Sequence, residues 1–108
     1  MKHSLLILLS VLALQLKVFA DPIIKIKRQV VEASCGQCNF KLPGKGCSLA
    51  VRIDGKAYFV DGTGIDEHGD AHAKDGFCKA IRKAEVKGKI IGNRFQASSF
   101  KLLPAKVE

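Results

Sequence analysis

The chain has 108 residues, 47% of them hydrophobic and only 6% aromatic, with 18 Lys+Arg against 10 Asp+Glu for a formal net charge of +8. A chain this short builds one domain, near the lower limit of what a hydrophobic core sustains without staples. The basic residues are dispersed, with no Arg-rich run, so the charge describes a solvated surface and speaks against nucleic acid as the partner.

Residues 1–20, "MKHSLLILLSVLALQLKVFA", carry the three parts of a secretory signal: Lys2, an apolar run from Leu5 to Leu14, and a small-residue cleavage site at Val18-Phe19-Ala20. The run is too short and wrongly flanked for a spanning helix. No cysteine follows it to take a lipid, and no later apolar run would cross a bilayer. The expectation is a signal peptide over 1–20, a single small β-barrel domain over 21–108, and a place in the periplasm or outside the cell. Such compartments oxidise thiols. The even set Cys35, Cys38, Cys47 and Cys78 would there form two disulfides, with three pairings possible.

Strand periodicity begins at "IIKIKRQVV", Ile23 to Val31, with Ile24, Ile26 and Val30 on one face and Lys25, Lys27 and Gln29 on the other. "EASCGQCNFKLPGKG" reads as a structured loop, from its Gly, Asn and Pro content. In "SLAVRIDGKAYFVDG", Asp54-Gly55 between two β-rich runs predicts a tight hairpin, because a type I′ turn needs positive φ at both central residues. A polar loop, Thr63 to Lys74, leads to "DGFCKAIRKA". There Phe77, Ile81 and Ala84 recur at helical spacing behind Asp75 as a cap, which predicts a short helix. "AEVKGKIIGNRFQASSFKLLP" holds two more strands around Gly92-Asn93, with Val86 and Ile90 on one face of the first. Phe95 and Ala97 are in phase with each other but not with Phe100 and Leu102. A β-bulge near Ser98-Ser99 is therefore expected, since an extra residue is what moves a strand's apolar set to its other face.

Five strands with one short helix between strands 3 and 4 predict a mainly β fold, a small five-stranded OB-like barrel. That order resembles the small OB-like barrels of bacterial exported proteins. The segments "SCGQC", "GKGC", "VDGTGIDEHGDAHAKDGFC" and "KAEVKG" together resemble a family of small exported bacterial proteins of unknown function. The resemblance spans nearly the whole of 21–108 and implies no activity.

Three chemistries compete for the cysteines. Cys35 and Cys38 have the spacing of a metal knuckle, but the second such pair of a full zinc signature is missing. "HGDAH" places His68, Asp70 and His72 two residues apart, so both imidazoles reach one side in an extended loop. Cys35, Cys38 and Cys78 with His68 or His72 would close a tetrahedral site for Zn²⁺ or Cu(I), Asp70 serving as a further ligand or orienting an imidazole from behind. The second reading is a disulfide-stapled binding module built on Cys35, Cys38, Cys47 and Cys78, without metal. The third is CxxC thiol redox chemistry, disfavoured because Pro43 and the neighbouring glycines do not continue a helix from Cys35. The partner is then a metal ion or an unidentified exported molecule.

The acidic residues around "DGTGIDEHGD" lack the alternation and closing Glu of a calcium loop. No G-x-S-x-G, P-loop or dinucleotide fingerprint occurs, and hydrolytic catalysis has no constellation to run on.

Overall fold

A computed structural model describes residues 22–105; the segment read as a signal peptide lies outside them. Five strands close into a barrel: β1 (Ile23–Cys35), β2 (Leu49–Ile53), β3 (Lys56–Asp61), β4 (Arg82–Ile91) and β5 (Arg94–Leu102). Their order around the wall is β1-β2-β3-β5-β4, with β4 returning to β1. Every neighbouring pair is antiparallel except β3 and β5, which run parallel. Two of the seams are short: β1 joins β2 only through Glu32 to Cys35, and β3 joins β5 only through Phe59 to Asp61. The fold is the mainly β, OB-like barrel that the pattern of runs predicts. Among the described residues no helix is long and apolar enough to cross a membrane.

Alternation decides what fills the barrel. Leu49, Val51 and Ile53 point inward from β2, Tyr58 and Val60 from β3, Ala84, Val86 and Ile90 from β4, and Phe95 from β5. The β2–β3 hairpin turns at Asp54 and Gly55, both at positive φ as a type I′ turn requires. At the β4–β5 turn only Gly92 takes positive φ, the pattern of a type II′ turn.

Two bulges set the phase of the long strands. In β5, Ser99 pairs Lys87 and Ala97 pairs Gly88, so Ser98 is the extra residue; its hydroxyl donates to the Lys87 carbonyl at 3.0 Å. Phe100 and Leu102 thereby pack against the same core as Phe95, as the phase break predicts. The second bulge, between Ile26 and Gln29 in β1, was not expected. It moves Val30 outward to 52% exposure and brings Val31 in, at 6%. Ile24 is likewise outside, so of the face expected from Ile24, Ile26 and Val30 only Ile26 is buried.

The one helix among the described residues, α1 (Gly36–Asn39), is a single turn between β1 and β2, inside the segment read as loop. It lies on the outer face of the β2–β3 hairpin: a Cβ on Gly36 would stand 2.9 Å from Leu42 Cδ1 and 2.9 Å from Phe59 Cε1. The helix expected between β3 and β4 is not formed. Residues 73–80 make successive turns, with Ala80 N donating to Gly76 O as a lone helical bond. Gly76 explains the difference, because it is buried where a Cβ would overlap the Asp70 and Ala71 carbonyls. The chain doubles back on itself there, and Arg82 and Ala84 are drawn into β4.

Candidate functional site

β1 and β2 are antiparallel, with Cys35 opposite Leu49 at the rim of the barrel. Cys47 lies two residues before Leu49, so the loop between the strands must bring it back towards Cys35. Their Cα atoms are 5.5 Å apart and their sulfurs stand at disulfide distance. Positive φ at Lys41, Gly44 and Gly46 folds the loop, and Gln37 ties it down. The Gln37 amide accepts from Ser48 N at 2.8 Å and donates to Ser48 Oγ at 3.2 Å.

The crossover from β3 to β4 delivers the third sulfur. Phe77 is 2% exposed and belongs to the core, so its neighbour Cys78 is held over the rim. Cys35 N donates to the Phe77 carbonyl at 3.0 Å, and Asn39 Nδ2 reaches the same oxygen at 3.0 Å. Buried Ser34 takes part as well: its hydroxyl lies 2.8 Å from Phe77 O and 2.7 Å from Ala80 O, and accepts from Asn39 Nδ2. Cys78 N donates to Ala71 O at 2.9 Å. These bonds tie the crossover to β1, and no buried side-chain nitrogen or oxygen among the described residues lacks a partner.

The result is a sulfur cluster. Cys78 Sγ lies 2.9 Å from Cys47 Sγ, and the ligand atoms of Cys35, Cys47 and Cys78 all fall within 4.8 Å of one another. Cys38 N donates to Cys35 Sγ at 3.4 Å, while the Cys38 thiol itself is free and exposed. Burial pushes the Cys78 thiol pKa up, and the nearby Cys38, Asp66 and Asp70 push it in the same direction.

Of the residues singled out from the sequence, Cys35 and Cys78 meet in this cluster, together with Cys47. The histidines do not join it. His68 Nε2 lies 2.8 Å from Thr63 Oγ1, and its ring packs against Phe100 at 4.6 Å between centroids and against the edge of Phe77 at 6.1 Å. His72 is 83% exposed, beside Asp70, whose carboxylate accepts from the His72 backbone N–H at 2.9 Å. Asp70 thus shapes the loop around His72. Glu67 accepts from Thr63 Oγ1 and from Gly64 N, and the Gly64 N–H above all holds its carboxyl below the usual carboxylate range. "HGDAH" therefore builds the approach to Phe77 and Cys78. Cys47 belongs in the cluster on a signal present in the sequence: where two consecutive strands pair antiparallel, the end of one and the approach to the next are neighbours.

Residues 29–103 match the sequence model of a family of unknown function, DUF6370. The chain belongs to this family. No curated protein and no solved structure matches it. The family segment takes in all four cysteines and ends beyond β5.

Proposed function

We propose that the protein binds a soft transition metal, Zn²⁺ or Cu(I), through thiolates. The observation that carries this is the convergence of three sulfurs from three separate chain segments within 4.8 Å at the barrel rim. Cys35, Cys47 and Cys78 are the ligands, and Cys38, on the turn that Cys35 caps, is the fourth. The donor set fits the ion, since soft thiolates select Zn²⁺ or Cu(I) over hard cations. Burial disfavours the Cys78 thiolate, and a bound cation would supply the positive charge that keeps it ionised. In this reading the metal links the end of β1, the β1–β2 loop and the crossover, holding the barrel end closed without catalysis. Export, as the first twenty residues suggest, would require the site to fill before its thiols oxidise.

The second reading is the disulfide-stapled module, favoured by the spacing of Cys35 and Cys47. Closing a loop of that length stabilises a domain by about 3 kcal/mol. It leaves Cys38 and Cys78 to pair with each other or stay free.

Mass spectrometry separates the two. The reduced full chain, offered Zn²⁺ and sprayed without denaturation, should carry one zinc. Chelation should lower its melting temperature by at least about 15 °C, because metal-binding energy is folding energy and each kcal/mol moves a domain this size by about 4–8 °C. Cys47→Ser and Cys78→Ser should each abolish the adduct, while a His68→Ala/His72→Ala double variant should retain it. A reduced chain that takes up no metal, and an exported form that weighs four hydrogens less after denaturation, would replace the metal site with two staples.

A further inference from the structure

The two bulges flank the same stretch of β4. The slip in β1 between Ile26 and Gln29 and the extra Ser98 in β5 both lie opposite Val86 to Gly88. Bulges bend a strand and sharpen its twist, and they recur beside binding sites. Here they border a cleft of about 500 Å³, within the size range of small-molecule sites. Its floor is apolar, made by Ile26, Gly88 and Ala97. Gly88 keeps the wall thin, because a Cβ there would run into the Gln96 carbonyl. The cleft is about 25 Å along β1 from Cys35, at ~3.3 Å per residue, and shares no residue with the sulfur cluster.

Around that floor stand Lys25, Lys27, Lys87 and Lys89, and no acidic residue lines the cleft. Lys25 is directly opposite Lys89 on the paired strands, an arrangement that repels. The ion pairs among the described residues involve none of these four lysines. Lysines often guard a sheet edge against pairing, and β1 is paired with β4 alone at Lys25, but Lys87 and Lys89 stand on β4, which pairs on both sides and has no edge to guard. An anion would offset the repulsion. Next to Lys25 on β1, Ile23 and Ile24 are exposed at 62% and 51%, so apolar surface continues past the cleft.

We infer that this cleft binds an anionic amphiphile, its phosphate or carboxylate head among the four lysines and its apolar chain over Ile26 and Ala97 towards Ile24. The head is carried either by a free amphiphile or by a membrane lipid, and the two sources are separable by experiment. The full chain is titrated with dodecyl phosphate below its micelle concentration, with dodecyl maltoside, with inorganic phosphate, and with neutral vesicles doped with anionic lipid. Saturable dodecyl phosphate binding is expected, with backbone NMR shifts concentrated at residues 24–27, 87–89 and 96–98. Lys25→Gln/Lys89→Gln should weaken it about tenfold or more, the scale of a lost charge-assisted contact. Lys45→Gln, outside the cleft, should leave it unchanged. Vesicle binding that depends on the same two lysines, without binding of the monomer, keeps the site and assigns the head to a membrane lipid. Equal binding of dodecyl maltoside, inorganic phosphate as tight as dodecyl phosphate, or indifference of both arms to the double variant would overturn the inference.

Discussion

Cys38 and Cys78 show how far one chain position sets a thiol's chemistry. Cys38 sits on an exposed turn, whereas Cys78 is half-buried, and burial first, then the nearby Cys38, Asp66 and Asp70, disfavour its thiolate. In the reduced, metal-free protein, iodoacetamide at neutral pH should therefore label Cys38 well before Cys78, as peptide mapping of a time course would reveal. The sign of the pH effect follows from the raised pKa. The unfolded chain ionises this thiol first, so its contribution to stability is present below the ordinary thiol pKa and is lost as pH climbs through the folded value. Cys78→Ser should flatten that alkaline decline in a denaturation series. Equal labelling rates for the two thiols would show that the crossover does not hold Cys78 against the barrel. The residue-scale chemistry was only partly legible. Cys35 and Cys78 are recognisable as ligand types, but the aromatic bed of His68 is made by Phe77 and Phe100, nine and thirty-two positions away, and no local pattern announces it.

Elements here are governed by phase. The switch from Phe95 and Ala97 to Phe100 and Leu102 is visible in the chain, and Ser98 is the inserted residue that accomplishes it. Deleting Ser98 should leave Phe100 and Leu102 facing the core, since Ala97 stays opposite Gly88 and Ser99 opposite Lys87, whereas inserting one Ala after Ser99 should turn both to solvent. The insertion removes two partly buried side chains from the core, at about 1.5–3 kcal/mol for each one fully exposed. Urea unfolding would measure the loss; a variant as stable as the parent would mean that the strand tolerates either phase. The bulge in β1 carries the same kind of signal, since Ile26 and Val31 are five residues apart and an odd interval cannot share a face without an insertion. It was obscured because Val30 and Val31 are both apolar and either completes an alternating series. For residues 75–84 the helical spacing of Phe77, Ile81 and Ala84 was real but outweighed. Gly76 must pass close to two carbonyls, and β4 gains a full ladder with β1 and β5 by claiming Arg82 and Ala84.

At the scale of the molecule, core and site are one device. Phe77 plugs the barrel from the crossover, its carbonyl receives the Cys35 N–H, and the next residue supplies a sulfur. Phe77→Ala should cost about 3–5 kcal/mol, a large share of the 5–15 kcal/mol that domains typically possess. It should also weaken zinc uptake by the reduced chain, because the crossover would no longer hold Cys78 over the rim. Unfolding with and without Zn²⁺ reads both effects. A variant that loses stability yet binds zinc as tightly as the parent would separate plug from site.

The sequence by itself determined the β class, the five runs and their order, both tight turns and the β5 bulge. Each depends on contacts between near neighbours or on a period of two, which a linear string carries. Tertiary structure alone decided that the sulfur of Cys78 meets the other two. Cys35, Cys47 and Cys78 come together because β1 and β2 pair antiparallel and because Phe77 is drawn into a core formed by all five strands. Spacing cannot encode that meeting, since it depends on where the barrel closes.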